Sequence, residues 1–118
     1  MRARRVRTVL TIAVSLLMVL TLSGSAQAAV VIKNSGNSFR PARVSVDKGT
    51  RVVWRIVSGL HTVTSTSPNW FKNTTLSAGQ STAKTFKRSG VYKFRCTFHS
   101  TFSNGVCSGM CGKIRVVA

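Results

Sequence analysis

Acid is almost absent from this chain of 118 residues: against 18 Lys and Arg stands a single carboxylate, Asp47, and the formal net charge is +17. Without a second carboxylate there is no pair to divide general-acid and general-base work, so hydrolase chemistry has little to stand on. Helical periodicity, heptads and internal repeats are also missing, which leaves no basis for a bundle, a coiled coil or a solenoid. Soft and imidazole ligands are scarce, with three Cys, two His and three Met in all.

What is present begins with a leader. Met1 to Arg7 is basic, Thr8 to Leu22 is mostly apolar, and Ser23 to Ala28 ends in small residues with an Ala-x-Ala pattern. This is the layout of a secretory signal peptide, residues 1–28, cleaved after Ala28. The apolar run is too short, and too broken by Thr and Ser, for a good membrane-spanning helix. Arg4-Arg5 is not followed by the rest of a twin-arginine motif, so general secretion is the expected route to a secreted or extracytoplasmic location. The mature chain, residues 29–118, is one small domain with a modest core. Four of the 18 basic residues lie in the leader, leaving 14 against one acid and a net charge of about +13. Outside the cell the anionic neighbour is not nucleic acid but a cell-wall polymer, a lipid surface or an acidic redox partner. The cations are scattered singly, so a solvated outer face accounts for them equally well.

Every recognisable element is a short strand. Ala29 to Lys33 comes first, and a turn-rich Asn34 to Ser38 leads to Phe39-Arg40-Pro41. Arg43 to Val46 alternates cleanly. In Arg51 to Val57, Val52, Trp54 and Ile56 share one face. His61 to Ser65 is β-branched, and Ser81 to Phe86 alternates again. In Val91 to Cys96 the side chains of Tyr92, Phe94 and Cys96 point inward, and Ile114 and Val116 form the inner face of the last strand. Residues 66–80 are predicted to be a long loop pinned by Trp70, Phe71 and Leu76. The sum is an all-β sandwich of about seven to eight strands.

The scarce ligands gather late in the chain. Cys96 and His99 are three residues apart at a strand end, and Met110 precedes the closing strand. With Met1 and Met18 in the leader, Met110 is the only methionine of the mature chain, and His61 is the only other histidine. One Cys, two His and one Met form a ligand set that suits copper. Exported cysteines usually pair, but three cannot all do so within one chain. Cys107 and Cys111 lie four apart in what reads as a Ser/Gly-rich loop, where a tight turn would allow a disulfide. Cys96 is then the odd thiol, protected by a metal. The alternative is that a thiolate of Cys107 or Cys111 joins or replaces Met110.

These residues stand in an order that resembles the cupredoxins, the type 1 blue copper proteins related to plastocyanin and amicyanin. The resemblance runs through Asn37-Ser38-Phe39, Pro41, Val44, Val46, Gly49-Thr50, Val52 and Trp54. It continues through His61 to Ser65, Phe86, Gly90, Tyr92, Phe94, Cys96 and His99, and ends with Met110, Gly112, Ile114 and Val116. It implies an eight-stranded Greek-key sandwich binding one copper ion at one end. His61, Cys96 and His99 would be the trigonal ligands and Met110 the weak axial one, with electrons leaving by the ring edge of His99 near an apolar surface. The implied activity is one-electron transfer between redox partner proteins by a monomeric carrier, not an enzyme; the positive surface predicts docking on an acidic partner face. Copper sequestration or delivery without redox cycling is the alternative, and a cationic wall-associated domain on the same scaffold is a third. The chain departs from the family in two ways: ten residues, Ser100 to Gly109, separate His99 from Met110, and Thr62 stands where some members brace the site with Asn.

Overall fold

A computed structural model of the chain describes residues 12–18 and 28–118. The expected signal peptide and its cleavage site lie largely outside the described residues. From Val30 onward the chain alternates between side chains that enter one core and side chains that meet water, and it forms nine strands with no helix among the described residues. They are β1 (Val30–Ser35), β2 (Ser38–Arg40), β3 (Arg43–Asp47), β4 (Thr50–Arg55), β5 (Leu60–Ser65), β6 (Asn73–Ser77), β7 (Ser81–Phe86), β8 (Gly90–Ser103) and β9 (Val106–Val117).

Two sheets face each other, one ordered β2-β1-β4-β7 and the other β3-β9-β8-β5-β6. The pairs β1/β4 and β3/β9 are parallel, because the chain crosses between the sheets before returning. The expected alternation is present on both inner faces. Val52, Trp54 and Ile56 are buried from one side, and Tyr92, Phe94, Cys96, Ile114 and Val116 from the other. Phe94 lies at the centre, edge-on to Phe39 at 4.9 Å and to Trp54 at 5.4 Å between ring centroids. Each such pair adds about 0.5–1.5 kcal/mol beyond burial of its area.

Three expectations need correction. The stretch 66–80 is not all loop: Asn73–Ser77 pairs with β5 as the edge strand, with His61 opposite Leu76. Trp70 stacks on Trp54 at 6.0 Å and Leu76 is buried, but Phe71 is 85% exposed and pins nothing. The Ser/Gly-rich segment after His99 is a two-stranded extension, in which β8 runs to Ser103 and β9 starts at Val106, with Asn104 and Gly105 turning at positive φ. That hairpin is what carries Met110 back to Cys96.

Candidate metal centre

Strand register brings the ligands together. Arg95 pairs with Cys111 and Ser100 with Gly109, so the bulge Cys96–His99 on β8 faces a single residue, Met110, on β9. A bulge of this kind re-aims side chains next to a site. Cys96 keeps the inward direction of Tyr92 and Phe94, while His99 turns back on its sulfur. Met110 and Cys96 are fully buried, with no exposed surface. The close approach depends on Gly109, at φ +98°, where an added Cβ would stand 2.5 Å from the His99 carbonyl oxygen.

The Cys96 sulfur lies 3.4 Å from His99 Nδ1 and 3.8 Å from His61 Nδ1. One donor atom from each of these residues falls within 4.8 Å of the others. A thiolate about 2.3 Å and an imidazole nitrogen about 2.0 Å from one transition ion, at a trigonal angle, are about 3.7 Å apart. The observed separations bracket that value. Both sulfur–imidazole separations therefore suit a shared ion, and two imidazoles and a thiolate, with the buried Met110 facing the Cys96–His99 bulge, suit copper.

His61 enters from β5 and is buried, its ring centroid 4.8 Å from that of His99. Its Nε2 lies 3.0 Å from the Ser58 carbonyl oxygen, which can only accept, and 3.2 Å from the Asn34 Nδ2; with Nε2 protonated toward that carbonyl, the Nδ1 lone pair faces the site. Desolvation holds its pKa below the ordinary histidine value, against a smaller upward push from the Ser58 hydrogen bond, and nearby His99 lowers it further. All of this favours the neutral, ligating form. His99 is half-buried and packs near Phe98, which with Leu60 forms an exposed apolar rim at this end.

Two supporting residues differ in how well the sequence exposed them. Thr62 donates its backbone N–H to the Cys96 sulfur at 3.4 Å, and its hydroxyl accepts the Thr97 N–H at 2.9 Å. The bracing expected of an Asn is thus supplied by Thr62. Asn34 gave no sign of a role, since it reads as the start of a turn. It is buried on β1, and its Nδ2 donates to the Ser58 carbonyl at 2.9 Å and to the Gly36 carbonyl at 3.0 Å while its Oδ1 accepts the Val57 N–H at 2.6 Å. Asn34 therefore positions the carbonyl that orients His61.

Cys107 and Cys111 form a disulfide, and Cys96 is the free thiol. The sulfurs flanking Met110 are thereby removed from competition as thiolates.

Residues 26–117 match the family of copper binding proteins described as the plastocyanin/azurin family. No curated protein matches the sequence significantly. Among solved structures, a reduced-state amicyanin variant shares 24% identity over 80% of this chain and 87% of its own, with a TM-score of 0.64. The purple cupredoxin from Nitrosopumilus maritimus shares 22% identity over 75% of this chain and 99% of its own, with a TM-score of 0.58. The copper-containing nitrite reductase from Thermus scotoductus SA-01 shares 23% identity over 77% of this chain but only 23% of its own, with a TM-score of 0.62. At these identities the likeness speaks for the fold, and the family match covers nearly all of the described sandwich. The chain belongs to the plastocyanin/azurin family of copper-binding proteins.

Proposed function

We propose that the protein is an exported blue copper electron carrier in which His61, Cys96 and His99 would hold one copper ion closely and Met110 would hold it more weakly. The observation that carries this reading is the convergence of the Cys96 sulfur and the two histidine nitrogens opposite the buried Met110. When bound, copper supplies a one-electron Cu(II)/Cu(I) couple. The chain's residues supply rigidity. His61 is held through Ser58, Cys96 through the Thr62 N–H, and Met110 through β9 and the disulfide on either side of it. Little ligand movement accompanies a change of charge, which keeps electron transfer fast.

His99, the more exposed imidazole, offers the shortest way out, and the apolar rim of Leu60 and Phe98 suits a transient partner. Family members are mostly electron carriers, although the nitrite reductase likeness means that this fold also serves inside an enzyme. With Asp47 as the only carboxylate, this chain has no acid/base pair, and we read it as a carrier. The disulfide favours this reading over copper handling through extra thiolates. Residues 1–28 direct export, and residues 29–118 act as a monomer whose cationic surface meets an acidic partner face, with association weakening as salt rises.

Voltammetry of the copper-loaded protein tests the reading. A reversible couple of one electron per copper, with colour lost on reduction and restored on oxidation, is expected. Colourless copper that stays bound and does not cycle would contradict it.

A further inference from the structure

The outer face of the five-stranded sheet carries a row of cations in register. Arg43 on β3 is opposite Lys113 on β9, and Lys113 is opposite Lys93 on β8. Three exposed positive side chains thus stand side by side on adjacent strands, about 4.8 Å from one strand to the next. Arg115 and Arg95 extend the patch two residues along their strands. Like charges placed directly opposite are destabilising. Asp47, the one carboxylate of the chain, is four residues along β3 from Arg43, about 13 Å away.

The row borders an open cleft of about 800 Å³. Phe102 and Val106 of the β8–β9 hairpin line it together with Pro68 of the loop after β5. Phe102 is 41% and Val106 68% exposed, and the Arg95 guanidinium is held over the Phe102 ring at 5.7 Å. The cleft thus combines uncompensated cations with an exposed apolar wall. A phosphate polymer would satisfy the first and leave the second in water, whereas an acidic polypeptide satisfies both.

We infer that this cleft docks an acidic segment of a partner protein that also carries apolar side chains. Its carboxylates pair with Arg43, Lys113 and Lys93, and its apolar groups cover Phe102 and Val106. The inference rests on the proposed carrier role only for the partner being a redox protein; binding itself requires no copper. His99 does not line the cleft, so a partner anchored there leaves the imidazole edge free.

The test is an amide-shift titration of the metal-free protein with a short synthetic peptide rich in Asp, Glu and Leu, and separately with inorganic polyphosphate. Shifts from the peptide are expected at Arg43, Lys93, Lys113 and Val106. The K93Q/K113Q variant is expected to weaken peptide binding about tenfold or more, and K33Q/K87Q, which removes the same charge elsewhere, less than about twofold. Phe102→Ser is expected to weaken the peptide but not polyphosphate. Equal weakening by the two charge-neutralised pairs, or shifts spread over both sheets, would overturn the proposal. So would polyphosphate binding tighter than the peptide's with no dependence on Phe102. Because copper is absent throughout, none of these outcomes depends on the electron-carrier reading.

Discussion

Thr62 holds the Cys96 segment through its backbone N–H, which reaches the Cys96 sulfur at 3.4 Å, and through its hydroxyl, which accepts the N–H of the next residue, Thr97, at 2.9 Å and lies 3.2 Å from the Thr97 hydroxyl. The first contact stabilises negative charge on the sulfur, and the second fixes the strand where it bulges. Thr62→Val retains the first and removes the second. The Thr97 N–H loses its acceptor, at a cost of about 1–3 kcal/mol in urea unfolding. Copper loss to a competing chelator is expected to be about 10–100-fold easier. A variant with wild-type stability and copper retention would show that the hydroxyl braces nothing.

Asn34 supports His61 through the Ser58 carbonyl and with its own Nδ2, 3.2 Å from His61 Nε2. Asn34→Ala leaves the Val57 N–H without its acceptor and frees the Ser58 carbonyl that orients His61. The fold is expected to lose about 1–3 kcal/mol, and copper affinity to fall with it. If Asn34→Ala binds copper as tightly as the unaltered protein, Asn34 does not position His61.

The Cys107–Cys111 disulfide is expected to leave one reactive thiol, Cys96, when metal-free protein is unfolded without reductant. Three reactive thiols would contradict it. Replacing both cysteines with Ser removes a short closed loop, worth about 2 kcal/mol in the chain-entropy account. The copper site should survive in a looser hairpin.

Gly109 allows β9 to pass against the His99 carbonyl. Gly109→Ala combines a strained φ with a backbone collision, and the expected result is a displaced hairpin. The copper absorption spectrum should change together with a stability loss above about 1 kcal/mol. An unaltered spectrum would mean that the hairpin's approach does not set the site.

Much of this was legible in the sequence because period-2 alternation is a strong local signal. Val52, Trp54 and Ile56, and Tyr92, Phe94 and Cys96, face inward as their spacing requires. The odd thiol and the scarcity of His and Met likewise singled out His61, Cys96, His99 and Met110. What stayed hidden depends on long-range pairing. The edge strand β6 is mostly Asn, Thr and Ser, and its strand character comes from hydrogen bonding to β5 rather than from its own apolar pattern. The hairpin beyond His99 is rich in Ser and Gly, which reads as loop until its two halves are paired. The role of Asn34 depends on Ser58, which is 24 residues away in sequence.

The most direct measurement is the absorption spectrum after Cu(II) is added to the purified protein. Cys96 sulfur bound beside the two imidazoles should give an intense thiolate-to-copper charge-transfer band, and Cys96→Ser should abolish it while the fold survives. Copper uptake without that band, or a band that persists in Cys96→Ser, would contradict a site built on Cys96, His61 and His99.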